Sequence, residues 1–380
     1  MKGFKNVNAY IYGKGVIKTN IGIENGFIKY IGDNENNIEE ICKIDGILVP
    51  GFIDEHIHGV GGSDTMDATK EALVNISTSL VKEGTTAFLA TTMTQENNLI
   101  LSALENIGKF INTNLGGATL LGVHLEGPFI SKKYKGAQPE NFIQNPYIKT
   151  MEEYIKVSRE TIKMVTFAPE KDENNTLLKY LNSNNIITSI GHSNASYSEV
   201  KNALNNGLKC VTHTFNAQSP IHHRDIGVAG SAMLFDNLST EIIADIIHIS
   251  LPALKLLIKN KPKDRIILIT DSIRAKWEDT LISELGGQKV FISNGKAILK
   301  DGTIAGSILK MNTAIKNLVT LLNIPLEDAI DFATYNPAKN INVLDKMGTI
   351  DVGKLANFTV LDKDFNITLT MVNGNIVYKK

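Results

Sequence analysis

The chain has 380 residues, 43% of them hydrophobic and 21% charged, enough to bury a large core and too apolar for a disordered segment. Its 39 Lys and Arg against 40 Asp and Glu give a net charge of -1, which removes the electrostatic footprint of a nucleic-acid binder. Cys42 and Cys210 are too few for a disulfide framework, the opening residues lack a signal peptide's apolar stretch, and no run nears the roughly 20 apolar residues of a membrane span, so a cytoplasmic protein is expected.

In chain order, the first signal is Asn25-Gly26 set between apolar residues, the pair a tight hairpin turn selects. The asparagine-rich stretches 33–37 and 174–185 read as solvated turns. From residue 50, short β-rich runs alternate with helical patterns. The runs are 50–58, 85–92, 119–126, 164–170, 186–192, 210–215, 242–248 and 265–271, and they advance by about 31 residues per step, the size of a βα unit. Between them, 71–81 spaces its apolar residues three and four apart, as on a helix face, and the pattern from Glu199 ends at Gly207, where a helix C-cap wants glycine. Near the finish, Asn373-Gly374 repeats the hairpin signal. Neither two-stranded hairpin is stable alone, so the termini are expected to share one small sheet, with two independent hairpins as the alternative. The pattern predicts an α/β fold: a (β/α)8 TIM barrel over 50–339, with a small β-sandwich domain built from 1–49 and 340–380. An open doubly wound sheet is the rival, but it has no reason to stop at eight strands.

Metal-binding side chains fall at the ends of these runs: His56, His58, Glu126, His192, His213, His248 and Asp271. In a barrel those ends converge on one face, where active sites form. His56 and His58, two apart on a strand, project to the same side with Cα atoms about 7 Å apart, a span that two ligands of one ion can close. Glu126 ends an otherwise apolar run, where a carboxylate needs water, a partner or a metal. His124 shares its face, either as a support behind the ligands or as a satisfied core histidine. Glu126 with His192 and His213 offers the two imidazoles and one carboxylate of a catalytic zinc site. Asp271 follows an apolar run and suits a general base acting on a metal-activated water. Arg224 is one of four arginines; a guanidinium suits phosphate, although the residue taken alone reads as a loop arginine paired with Asp225.

The order His-x-His, Glu, His, His, Asp resembles the amidohydrolase superfamily. His124-Leu125-Glu126-Gly127-Pro128, Gly136-Ala137-Gln138-Pro139, His213-Thr214-Phe215-Asn216-Ala217 and His222-His223-Arg224 resemble its N-acetylglucosamine-6-phosphate deacetylase branch. The likeness spans nearly the whole chain. It implies a hydrolase of amino-sugar catabolism and cell-wall sugar recycling that releases acetate from a phosphosugar. Glu126, His192 and His213 would hold the main ion; His56 and His58, with Glu126 as bridge and Asp271 nearby, would hold a second. The implied cofactor is a divalent metal, Zn2+ or Fe2+ foremost and Mn2+ or Co2+ also accepted, with one or two ions per subunit. Asp271 would be the catalytic acid/base. Ala137, Gln138, Asn216, Ala217, Arg224, His248, Ile304, Ala305 and Gly306 match substrate contacts, Arg224 meeting the phosphate. The resemblance further implies a homodimer with phosphate contacts shared across subunits. Gln138 stands where several relatives carry histidine, and Asp225-Ile226-Gly227 replaces the usual Glu-Pro-Gly. Other amidohydrolases, which bridge two metals with a fourth-strand lysine, and a non-catalytic scaffold on the same barrel are the alternatives.

Overall fold

Strand-forming residues with two buried faces dominate eight short segments, and these associate in parallel in their order along the chain. A computed structural model describes residues 1–34 and 36–380. The barrel strands are Phe52–Ile57, Thr85–Thr92, Thr119–Glu126, Ile162–Phe167, Ile187–Ile190, Cys210–Val211, Ser239–Ile242 and Ile266–Leu268. The first and eighth strands approach at their C-terminal ends. There the Asp271 amide donates to the His56 carbonyl at 2.9 Å, and Thr270 Oγ1 donates to Asp54.

Two expectations need correction. The seventh strand lies at Ser239–Ile242, not 242–248, so His248 stands on the loop beyond it. The apolar run Ile242-Ile243-Ala244 suggested a strand, but Ser239, Thr240 and Glu241 are buried in the barrel, where polar side chains find polar partners. The stretch 174–185 is not simply a turn. Thr176–Ser183 is a helix that buries Leu177, Leu178 and Leu181. The expected turn at 33–37 includes Glu35, which lies outside the described residues. The helical readings at 71–81 and after Glu199 correspond to Lys70–Leu80, capped by Thr69, and Tyr197–Asn205, opened by a Ser196/Glu199 capping box.

The termini form a separate sheet with one shared core. Ile47–Pro50 is its hinge element, pairing in parallel with Lys2–Ile11 and antiparallel with Phe358–Leu361 before leading directly into the first barrel strand. Both Asn-Gly pairs adopt the left-handed turn that hairpins require, with φ of 52° and 81° at Asn25 and Gly26 and 49° and 78° at Asn373 and Gly374. Phe4, Ile21, Leu48, Phe358 and Met371 pack the core between these strands. A three-stranded sheet at Ile282–Leu285, Gln288–Ser293 and Lys296–Ile298, absent from the sequence reading, follows the eighth barrel strand and borders the barrel mouth. Among the described residues no helix is long and apolar enough to cross a membrane.

Candidate active site

Three of the functional residues stand at sharp turns just past their strands. His192, His213 and Asp271 have φ of 50°, 26° and 47°, left-handed values that side-chain-bearing residues rarely adopt and that cluster at functional sites. The turns bring the side chains together. Glu126 Oε1 lies 3.1 Å from His192 Nε2 and 3.0 Å from His213 Nε2, and those two nitrogens are 3.2 Å apart. His58 Nε2 lies 3.3 Å from both Glu126 Oε2 and Asp271 Oδ1, and His56 Nε2 is 3.4 Å from Asp271 Oδ1. Thus Glu126 Oε1 faces His192, His213 and, at 3.7 Å, His56, while Oε2 faces His58.

The donor set fits a cation. His192 Nδ1 sits 2.9 Å from the Tyr134 carbonyl, which can only accept, so in the neutral ring Nε2 keeps its lone pair. That lone pair faces the Glu126 carboxylate and a second imidazole. His56 Nε2 is fully buried with no hydrogen-bond partner. Glu126 with His192 and His213, and His56 with His58 and Asp271, are two buried groups that could each hold an ion.

Electrostatics follow from the same contacts. Burial alone would raise the Glu126 carboxyl, but His192 and His56 hold it well below the usual carboxylate range. Burial is also outweighed at Asp271, which His56 and His58 bring down to about 2. Burial would weaken His56 as a base, yet Glu241, Asp271 and Glu126 push it up to about 9. His124 is different. It is buried, its pKa lies well below the ordinary value, and its nitrogens meet the Glu55 carbonyl at 3.0 Å and Thr166 Oγ1 at 2.7 Å, so it is a satisfied core histidine.

The centre opens into a cavity of about 260 Å³. Of the residues matched to substrate contacts, Ala137, Gln138, Asn216, Ala217, His248, Ile304 and Gly306 line it, and Ala305 is buried just behind. Gln138 is fixed at both ends of its amide: Oε1 accepts from the Thr94 backbone at 2.7 Å, and Nε2 donates to Glu126 Oε2 at 2.7 Å. His248 is held by Asp245, whose Oδ2 lies 2.6 Å from Nδ1. The Ser307 amide, bonded to the Asp271 carbonyl at 2.8 Å, anchors the loop carrying Ile304 and Gly306. Arg224 does not line this cavity within one chain. It is exposed in a separate surface pocket with His223 and Leu234, its Nη1 2.7 Å from His223 Nε2. Nor does it pair with Asp225, whose carboxylate accepts the backbone amides of Tyr197 and Gly227.

One residue of the centre escaped the sequence reading. Glu241, fully buried, places Oε2 3.0 Å from His56 Nδ1 and 3.1 Å from the His213 amide. A signal existed: Glu241 precedes an apolar run much as Asp271 follows one, but the seventh strand was placed too late in the chain to include it.

The amidohydrolase family model matches residues 47–377. The chain is 39% identical, over 96% of its length and 95% of the relative's, to an N-acetylglucosamine-6-phosphate deacetylase of Bacillus subtilis (strain 168). Among solved structures, an N-acetylglucosamine-6-phosphate deacetylase from Thermotoga maritima matches with a TM-score of 0.91 at 34% identity, covering 100% of both chains. A mutant of the Mycobacterium smegmatis enzyme, solved in complex with N-acetyl-D-glucosamine-6-phosphate, matches with a TM-score of 0.92 at 25% identity, also covering 100% of both. Sequence and fold agree: the chain belongs to the amidohydrolase family and, within it, to the N-acetylglucosamine-6-phosphate deacetylases.

Proposed function

We propose that the chain hydrolyses the acetamide of N-acetylglucosamine 6-phosphate, giving glucosamine 6-phosphate and acetate in the cytoplasm. The observation that carries this reading is the convergence of Glu126, His192, His213 and Asp271 on one cavity that Gln138, Asn216 and His248 also line. Residues 50–339 would form the catalytic barrel, with 1–49 and 340–380 as its supporting domain.

Glu126, His192 and His213 would hold the main ion, and His56, His58 and Asp271, with Glu126 between, a second. A bound Zn2+ or Fe2+, or Mn2+ or Co2+ in their place, would polarise the acetamide carbonyl and acidify a water. Asp271, kept ionised by its histidine neighbours, accepts a proton from the attacking water on its carboxylate. The water oxygen bonds to the carbonyl carbon; the C–N bond then breaks as Asp271 returns the proton to the departing amine. His248, oriented by Asp245, leaves Nε2 to bind a polar group of the substrate. Asn216, Ala217 and the backbone at Ile304, Ala305 and Gly306 shape the sugar subsite. Arg224, outward-facing on its own chain, would reach the phosphate in a partner's cavity, making the enzyme a homodimer.

The fourth strand argues against a lysine-bridged relative, since its single lysine, Lys163, is solvent-exposed. Acetate release from N-acetylglucosamine 6-phosphate by zinc-loaded protein tests the assignment. Turnover is expected, with much lower kcat/KM for unphosphorylated N-acetylglucosamine. Bound metal without turnover would overturn the choice of substrate.

A further inference from the structure

We infer that Glu241 is a positioning residue that locks one ligand from each half of the centre, an inference resting on the reading that His56 and His213 hold ions. A single carboxylate oxygen, Oε2, receives both His56 Nδ1 at 3.0 Å and the backbone N–H of His213 at 3.1 Å, while the Glu241 carbonyl accepts the Thr214 amide at 2.9 Å. The first contact selects the His56 tautomer. Because a carboxylate accepts only, Nδ1 keeps its proton, and Nε2, which has no hydrogen-bond partner and faces Glu126 and Asp271, is the nitrogen left to bind an ion once the ring is neutral. The second contact, with the carbonyl bond beside it, pins the chain on either side of His213, whose φ of 26° the strand alone would not hold.

Glu241 also neighbours the buried Glu55 carboxylate and the Cys210 thiol, neither of which offers it a positive charge. Glu241 is fully buried, its ion pair among the described residues is with His56, and its Oε1 has no partner. A buried carboxylate without a lysine or arginine is costly, and an apolar side chain would fill the barrel at less cost. The carboxylate is matched when the His56 imidazole it holds serves a cation. The same contacts make the two half-sites mechanically dependent, because a shift of Glu241 moves a ligand of each.

The test compares zinc uptake by the full-length chain and its Glu241→Gln and Glu241→Ala variants, by equilibrium dialysis against Zn2+ alone, with imidazole 15N NMR of the zinc-loaded proteins. Gln keeps an acceptor oxygen at the same place; Ala does not. Expected are a roughly 10- to 100-fold loss of zinc affinity in Glu241→Ala, recovery of most of it in Glu241→Gln, and His56 bound through Nε2 with a slowly exchanging Nδ1 proton in wild type. Zinc bound as tightly by Glu241→Ala as by wild type, or His56 bound through Nδ1, would overturn the role of Glu241 and leave the metal reading intact. A wild-type chain that takes up no zinc would overturn the metal reading itself. Should Glu241→Ala fail to fold, the wild-type spectrum and Glu241→Gln still decide.

Discussion

Two titrating side chains shape what the centre does. Asp271 is held near 2 in the folded chain by His56 and His58, whereas an unfolded aspartate titrates near 4. A depressed carboxyl stabilises the fold above its unfolded pKa, and that stabilisation is lost as pH falls through the folded value. The Tm of the metal-free chain should therefore drop between about pH 4 and pH 2, and Asp271→Asn should flatten that drop. In the metal-loaded enzyme the same substitution should lower kcat by about 10²- to 10⁴-fold, the usual range for removing a general base, with substrate binding less affected. His56 shows the opposite sign. Raised to about 9 by three carboxylates, it is protonated at pH 7 and must shed a proton before Nε2 can coordinate. Zinc loading at pH 7 should release protons, read as a buffer-dependent enthalpy in calorimetry, and affinity should climb with pH up to about 9.

Among the elements, those with strong local signals were legible and those defined by the barrel interior were not. Thr85–Thr92 and Thr119–Glu126 coincide with the runs read from the sequence, each a mostly apolar or threonine-rich stretch with a sharp end. Ser239–Ile242 was not legible because its polar residues, buried in the barrel wall, look like a loop on paper. The left-handed bends at His192 and His213 also leave no mark in composition, although they turn both imidazoles toward Glu126. The Asn-Gly turns were legible, but their mutual contact was not: a Cβ on Gly26 would meet the Asn373 carbonyl oxygen at 2.9 Å, so the hairpins of the two termini abut. Gly26→Ala should cost about 1–3 kcal/mol from left-handed strain and this clash, lowering Tm while leaving kcat unchanged. A buried ion pair gives a second element-scale prediction. Lys276 Nζ lies 2.7 Å from Glu83 Oε1 with neither side chain exposed, tying the loop after the eighth barrel strand to the turn before the second. Lys276→Met would strand the Glu83 charge and should cost about 3–5 kcal/mol in urea unfolding.

At the scale of the whole molecule, the candidate metal-ligating side chains were legible at the barrel's C-terminal face because fold symmetry alone sends strand ends there. The sequence could not place Arg224. Its loop is exposed and sits away from the cavity of its own chain, so the proposed phosphate contact requires a second copy. If the phosphate site is shared, Arg224→Ala and Asp271→Asn should each be nearly inactive alone. Mixed and allowed to exchange subunits, they should regain activity toward one quarter of wild type, because each hybrid dimer restores one intact site.

The most direct measurement is anomalous diffraction from zinc-loaded crystals, collected above and below the zinc edge. The account predicts a peak within about 2.0–2.2 Å of Glu126, His192 and His213, with any second peak beside His56 and His58. A strong peak elsewhere, with these three side chains pointing away from one another, would contradict it.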